Sequence, residues 1–255
     1  DTTTSETGLG QFEVNLMHCD DPLRAADDAW FFKMLVKGLA RRHGFAASFM
    51  AKPYAEYSGS GLHTHFSVLD AKGDNIFDSG GPKGTAQLRH AVAGCLTAMH
   101  DSTLLFAPHF NSYERLVPDK HAPTAISWGY ENRTAAIRIP AGNPSARRIE
   151  HRPAGVDANP YLVAATVLAG IRKGLREGID PGPETTGNGY ENSANTAQIP
   201  LDWRSAIAPA KQSEFPTQAL GPDLHRTFVA IKESEYLRVA RTIADVDYQL
   251  YLHEV

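Results

Sequence analysis

GSGLHTHFSVLD, residues 59–70, is the stretch on which the reading of this chain turns. From residue 62 it alternates: Leu62, Thr64, Phe66 and Val68 fall on one side, His63, His65 and Ser67 on the other. A period of two is that of a strand with one face in a core and the other turned to a cleft or to water. Gly59 and Gly61, just ahead of it, let the backbone approach a ligand or another segment closely. Alone, a His-x-His pair equally fits a surface strand with incidental imidazoles, so the other strands have to decide.

Three further segments repeat the pattern. QFEVNLM (11–17) places Phe12, Val14 and Leu16 one way and Gln11, Glu13 and Asn15 the other. AAIRIP (135–140) sets Arg138 between Ile137 and Ile139, and RRIEHRP (147–153) puts Arg148, Glu150 and Arg152 opposite Ile149. If these strands are neighbours, their charged faces form one floor of Glu, His and Arg. A solvated face is usual for an antiparallel sheet, but such faces favour Lys and Thr. Arginine suits bidentate capture of carboxylate and phosphate. Glu with His suits Mg²⁺ or Mn²⁺ beside phosphates. The combination points to metal-dependent phosphoryl chemistry.

The rest of the chain supplies the scaffold. A helix is expected from Pro22 to about His43, with Gly44 as its C-terminal cap. Residues 45–70 read as two strands around a turn containing Pro53, and 71–84 as a loop. A helix follows over about 85–102, then an ordered Pro-rich loop over 107–124. Strands are expected at about 125–130, 133–139 and 147–152, and a helix from Pro160 to about Gly178. Residues 180–200 read as a polar loop and the chain beyond about 202 as interrupted helix. The class is α+β with a largely antiparallel sheet.

The 255 residues allow one large domain or two small ones. A net charge of −4 argues against a nucleic-acid surface. With only Cys19 and Cys95 there is no disulfide framework, which fits a reducing compartment. Neither a signal peptide nor an apolar run of membrane length occurs, so the expectation is a cytoplasmic protein without a membrane partner. The first residue is Asp, which reads as a processed chain or a piece of a longer one.

GQFEVNL, SGSGLHTH, NSYERLVPDKHAP, NRTAAIRIP and ARRIEHRPAGVDANPYL, in this order over nearly the whole chain, together resemble the glutamine synthetase family. The resemblance implies a funnel of curved antiparallel strands with helices outside. It implies ATP-dependent joining of the glutamate γ-carboxylate to an amine, through a γ-glutamyl phosphate, with Mg²⁺ or Mn²⁺. Position by position, Glu6, Glu13, His63 and Glu150 match metal ligands. Gly59, Arg115 and Arg152 match substrate contacts. His65 and Ser67 match residues on the nucleotide side. Arg133, Arg138 and Arg148 match the arginines around the transferring phosphoryl group, with Arg133 and Arg148 also near the nucleotide.

Two departures from the family pattern matter. His121 stands where ammonia-using members carry a Glu that takes a proton from ammonium, and Ser58 stands where they often have Asn. Both favour an organic amine or polyamine as acceptor, as in γ-glutamylpolyamine synthetases, with His121 as a possible base. Glu56 and Asp119 are acidic candidates for the amine pocket. The family's N-terminal β-grasp domain and the first catalytic strand, with its E-x-E pair, are not in residues 1–255. The expectation is therefore a catalytic domain that is inactive alone and that assembles, as the family does, into a double ring of hexamers. An ammonia-using glutamine synthetase and a non-catalytic relative are the alternatives.

Overall fold

The computed structural model describes residues 2–117, 122–191 and 196–254. Strands β1 (Thr2–Ser5) and β2 (Phe12–Asn15) pair antiparallel as a separate two-stranded ribbon. The alternation of β2 is real, but its apolar side is uncovered, with Phe12 67% exposed. Helix α1 (Pro22–Arg42) begins where Asp21 accepts from the Leu23 and Arg24 amides and ends before Gly44, whose φ is +77°.

The second sheet holds β3 (Thr64–Phe66), β4 (Trp128–Tyr130), β5 (Ile137–Ile139) and β6 (Ile149–His151), in the order β3-β6-β5-β4. Its apolar face meets the core through Ile137, Ile139 and Ile149, all fully buried, and Leu62, Phe66 and Val68 pack against the same cluster. β3–β6 and β5–β6 are antiparallel, but β4–β5 is parallel. The pairing is thus largely antiparallel, as expected, with one parallel exception. Parallel neighbours usually need a crossover of about a dozen residues. Here 131–136 suffice, because the strands are short and the chain reverses at once. Glu131 takes φ +53°, and Asn132 Oδ1 accepts from the Thr134 amide at 2.9 Å.

A correction concerns 45–63, where no strand forms ahead of β3. Pro53 lacks an N–H, and the groups a partner strand would take are used by one side chain. Asn111 Oδ1 accepts from the Lys52 amide at 2.9 Å, and its Nδ2 donates to the Lys52 carbonyl at 2.8 Å.

Helix α2 (Ala86–Phe106) is capped by Thr85 and runs through the core. A one-turn helix, α3 (Phe110–Tyr113), interrupts the segment expected to be loop throughout. Helix α4 (Pro160–Glu177) starts at the Asn159 cap and stops at Gly178, φ +62°. It lies so close to α2 that Gly94 and Gly174 have no room for a Cβ and Gly170 has little. Helices α5 (Trp203–Gln212), α6 (Glu214–Leu220), α7 (Pro222–Ala240) and α8 (Asp245–Tyr251) complete the chain. No helix among the described residues is long and apolar enough to cross a membrane.

Candidate active site

The register of the second sheet brings the charged residues into one row. His65 lies opposite Glu150 across β3–β6, and Glu150 opposite Arg138 across β5–β6. For β3, β5 and β6, but not for β2 with Glu13, which pairs only with β1 in the separate ribbon, the charged floor expected from the alternation therefore exists. Its centre is Glu150, whose side chain is 3% exposed. Glu150 Oε2 accepts from Arg138 Nη1 at 2.8 Å, and Oε1 accepts from Arg152 Nη1. His63 Nδ1 lies 3.5 Å from the same Oε1. Burial pushes the Glu150 carboxyl up, but its cationic neighbours, Arg152 foremost, outweigh it and hold the group below the usual carboxylate range. Glu150 is thus an anion at neutral pH.

His63 is the opposite case. Burial, then the charges of Arg152 and Arg115, push its pKa down to about 3, so its imidazole is neutral. A neutral imidazole and an ionised carboxylate side by side are the protonation states that metal ligation needs. Among the described residues no three His, Cys, Asp or Glu side chains converge to form a complete cage. Glu6 and Glu13 are exposed on and beside the β1–β2 ribbon. The ribbon is nonetheless tied to the site: Gln11 Nε2 donates to the Gly59 carbonyl at 3.2 Å and to Ser60 Oγ at 3.1 Å.

Arg115 is 4% exposed and lies beneath the Gly-Ser-Gly turn. Its Nη1 donates to the Pro153 carbonyl at 2.9 Å and its Nη2 to the Arg152 carbonyl at 3.4 Å. The two glycines make that seat. A Cβ on Gly59 would stand 2.8 Å from Arg115 Cγ, and one on Gly61 2.7 Å from Nη2. At the edge of the row, Arg148 Nε donates to His65 Nδ1 at 3.1 Å. Ser67 is half-buried just past β3, and Arg133 is exposed on the 131–136 loop, apart from the Glu150 network. His121 and Asp119 lie outside the described residues.

A buried, doubly paired carboxylate beside a neutral imidazole, ringed by arginines, can hold a cation and several anionic oxygens at once. A family model described as glutamine synthetase, catalytic domain, matches residues 1–251. The chain belongs to the glutamine synthetase family. It is 38% identical over 252 residues to γ-glutamylputrescine synthetase PuuA of Escherichia coli K12, covering 99% of this chain and 53% of that protein. It is 39% identical over 203 residues to a glutamate–isopropylamine ligase of a Pseudomonas species, covering 78% and 43%. A solved complex of GmaS with ADP aligns with TM-score 0.86 at 32% identity, covering 95% of this chain and 57% of that one. The chain spans about half the length of these curated relatives.

Within this glutamine synthetase fold, two residues that contact the site carried no signal of their own in the sequence. Glu131 accepts from the Ala141 amide through Oε1 and pairs with Arg138 Nη2 at 3.5 Å through Oε2. Asp157 sits in the turn after β6, inside the ARRIEHRPAGVDANPYL motif but without an alternating pattern to mark it. A cavity of about 830 Å³ lies elsewhere: it is lined mostly by apolar residues of α1 with Leu16 and Met17, and it shares no residue with the charged row.

Proposed function

We propose that this chain is the catalytic part of an ATP-dependent ligase that joins the glutamate γ-carboxylate to an organic amine, through a γ-glutamyl phosphate. The Glu150-centred row of His63, Arg138 and Arg152 is the observation that carries the reading. The family relatives named for putrescine and isopropylamine support the acceptor class.

In this reading Arg115 and Arg152 grip the glutamate carboxylates, with Gly59 lining the same subsite. Arg133, Arg138 and Arg148 face the transferring phosphoryl group, where preset cations stabilise the charge that builds on its oxygens. His65 and Ser67 lie on the nucleotide side. His63 and Glu150 fit a divalent ion near the nucleotide phosphates in chemistry and charge, and Glu6 and Glu13 would hold a second ion nearer glutamate. Mg²⁺ or Mn²⁺ bound there supplies Lewis-acid polarisation of phosphoryl oxygens. His121 takes the proton from the incoming amine, a role that suits an imidazole near pH 7. A homo-oligomeric ring in the cytoplasm belongs to the same proposal, as does inactivity of residues 1–255 on their own.

The test is phosphate release from ATP by the longest chain the gene encodes, with glutamate and Mg²⁺ or Mn²⁺. Ammonium is run beside putrescine, spermidine, ethanolamine and simple monoamines. Turnover with an organic amine and little with ammonium is expected. Strong turnover with ammonium makes the protein a glutamine synthetase in the strict sense. Silence with every amine, from folded protein, favours a non-catalytic relative.

A further inference from the structure

Asp157 has no part in the roles assigned so far, yet it is built into the site from three directions. Its side chain is 10% exposed. Oδ2 accepts from Ser112 Oγ at 2.6 Å and lies 3.1 Å from His109 Nδ1. Oδ1 is buried and has no hydrogen-bond partner among the described residues. Gly155 makes room for it, since a Cβ there would overlap Oδ1. On the far side, Lys33 of α1 donates to the carbonyls of Val156 and Ala158, the residues flanking Asp157.

A buried carboxylate oxygen without a donor is costly, and a nearby positive charge has to offset it. Lys33 and Arg115 are the cations on which the field of Asp157 acts, and Arg115 is the one beneath the Gly-Ser-Gly turn. Its guanidinium has no carboxylate within salt-bridge distance among the described residues, and its hydrogen bonds go to the carbonyls of Pro153 and Arg152. Asp157 is the anion whose field acts on it, against the opposing field of Arg152. The two are also linked through the chain. Ser112, which donates to Asp157, accepts from the His109 amide at 3.0 Å and so closes the turn of α3. The Arg115 amide donates to the Ser112 carbonyl at 3.2 Å. One carboxylate thus fixes the turn from which Arg115 departs and balances the charge at its tip.

We propose that Asp157 is the positioning residue for Arg115: through Ser112 and through its charge, it holds the guanidinium in the one orientation that receives the substrate carboxylate. The inference rests on the ligase reading, in which Arg115 binds glutamate. A mere brace of the fold would affect both substrates alike. A positioning residue for Arg115 acts on glutamate selectively.

The experiment uses the longest chain the gene encodes, as wild type, Asp157→Asn and Ser112→Ala. It measures KM for glutamate, KM for ATP and the glutamate Kd by calorimetry. Asp157→Asn is expected to raise the glutamate KM and Kd about tenfold while the ATP KM stays within about twofold. Ser112→Ala is expected to move glutamate the same way by about threefold. Should Asp157→Asn fail to fold, Ser112→Ala decides alone. Equal rises for both substrates, or variants that bind glutamate as wild type does, overturn the inference and leave the ligase reading standing. Wild type that binds no glutamate overturns the ligase reading and the inference with it.

Discussion

A Cβ placed on Gly59 would stand 2.6 Å from the Ala51 carbonyl oxygen and 2.8 Å from Arg115 Cγ. The carbonyl cannot give way cheaply, because it already accepts from the Ser60 amide at 2.7 Å. Gly59→Ala therefore has to displace Arg115 or the turn. Overpacking of this kind costs about 1–3 kcal/mol, and the glutamate KM should rise at least about tenfold. Denaturant melts and steady-state kinetics read both effects. Gly38→Ala on α1 is the control: nothing stands within 4 Å of its Cβ position, and helix propensity favours Ala by about 1 kcal/mol. The two cysteines make a second residue-scale contrast. Burial pushes the Cys95 thiol up to about 12, so below that pH it stays protonated and unreactive. Cys19 is partly exposed. A thiol reagent at pH 8 should label one cysteine in the native protein and two after unfolding.

Among the elements, α2 and α4 carry the closest approach. Added Cβ atoms on Gly94 and Gly174 would overlap the backbone of the facing helix, at the Gly170 carbonyl and the His90 carbonyl respectively. In an exposed helix Gly→Ala gains about 1 kcal/mol. Here overpacking reverses the sign, and Gly174→Ala should cost about 2–3 kcal/mol in a urea melt, with no change in m-value. The helix ends were legible from sequence because their determinants are local. Pro22 and Gly44 bracket α1, and Pro160 and Gly178 bracket α4. The faces of β3, β5 and β6 were legible for the same reason, since a period of two survives any pairing. The direction of the β4–β5 pair was not. Nothing in the residues of β4 says that β5 will run parallel to it, because that depends on how 131–136 close, and Glu131 is a residue type that seldom adopts a positive φ. The strand expected before Pro53 failed because Asn111, distant in sequence, took the Lys52 backbone groups. In the site, family resemblance named residues that alternation could not rank. Asp157 escaped both because its partners, Ser112, His109 and Lys33, come from other elements.

At the scale of the molecule, apolar and charged surfaces are segregated. Trp30, Phe31, Met34, Leu35 and Leu39 are exposed along α1, which buries only Ala26. The opposite extreme is the sheet face, where Arg138 and Arg152 converge on one carboxylate and Arg148 stands at the row's edge. The chain as a whole carries a net charge of −4, so this face is a local positive basin in a negative body. Its effect extends to molecules that have not yet arrived. A field focused by a low-dielectric cleft draws small anions in and raises their association rate above that of random encounter. Glutamate and ATP are such anions in the proposed reaction. Their capture should slow as added salt shortens the screening length to about 8 Å near 0.15 M. Stopped-flow association rates for ATP, taken across a salt series, should fall steeply while the dissociation rates stay nearly level. A row of arginines proposed to serve chemistry at contact would thereby also set the speed of arrival.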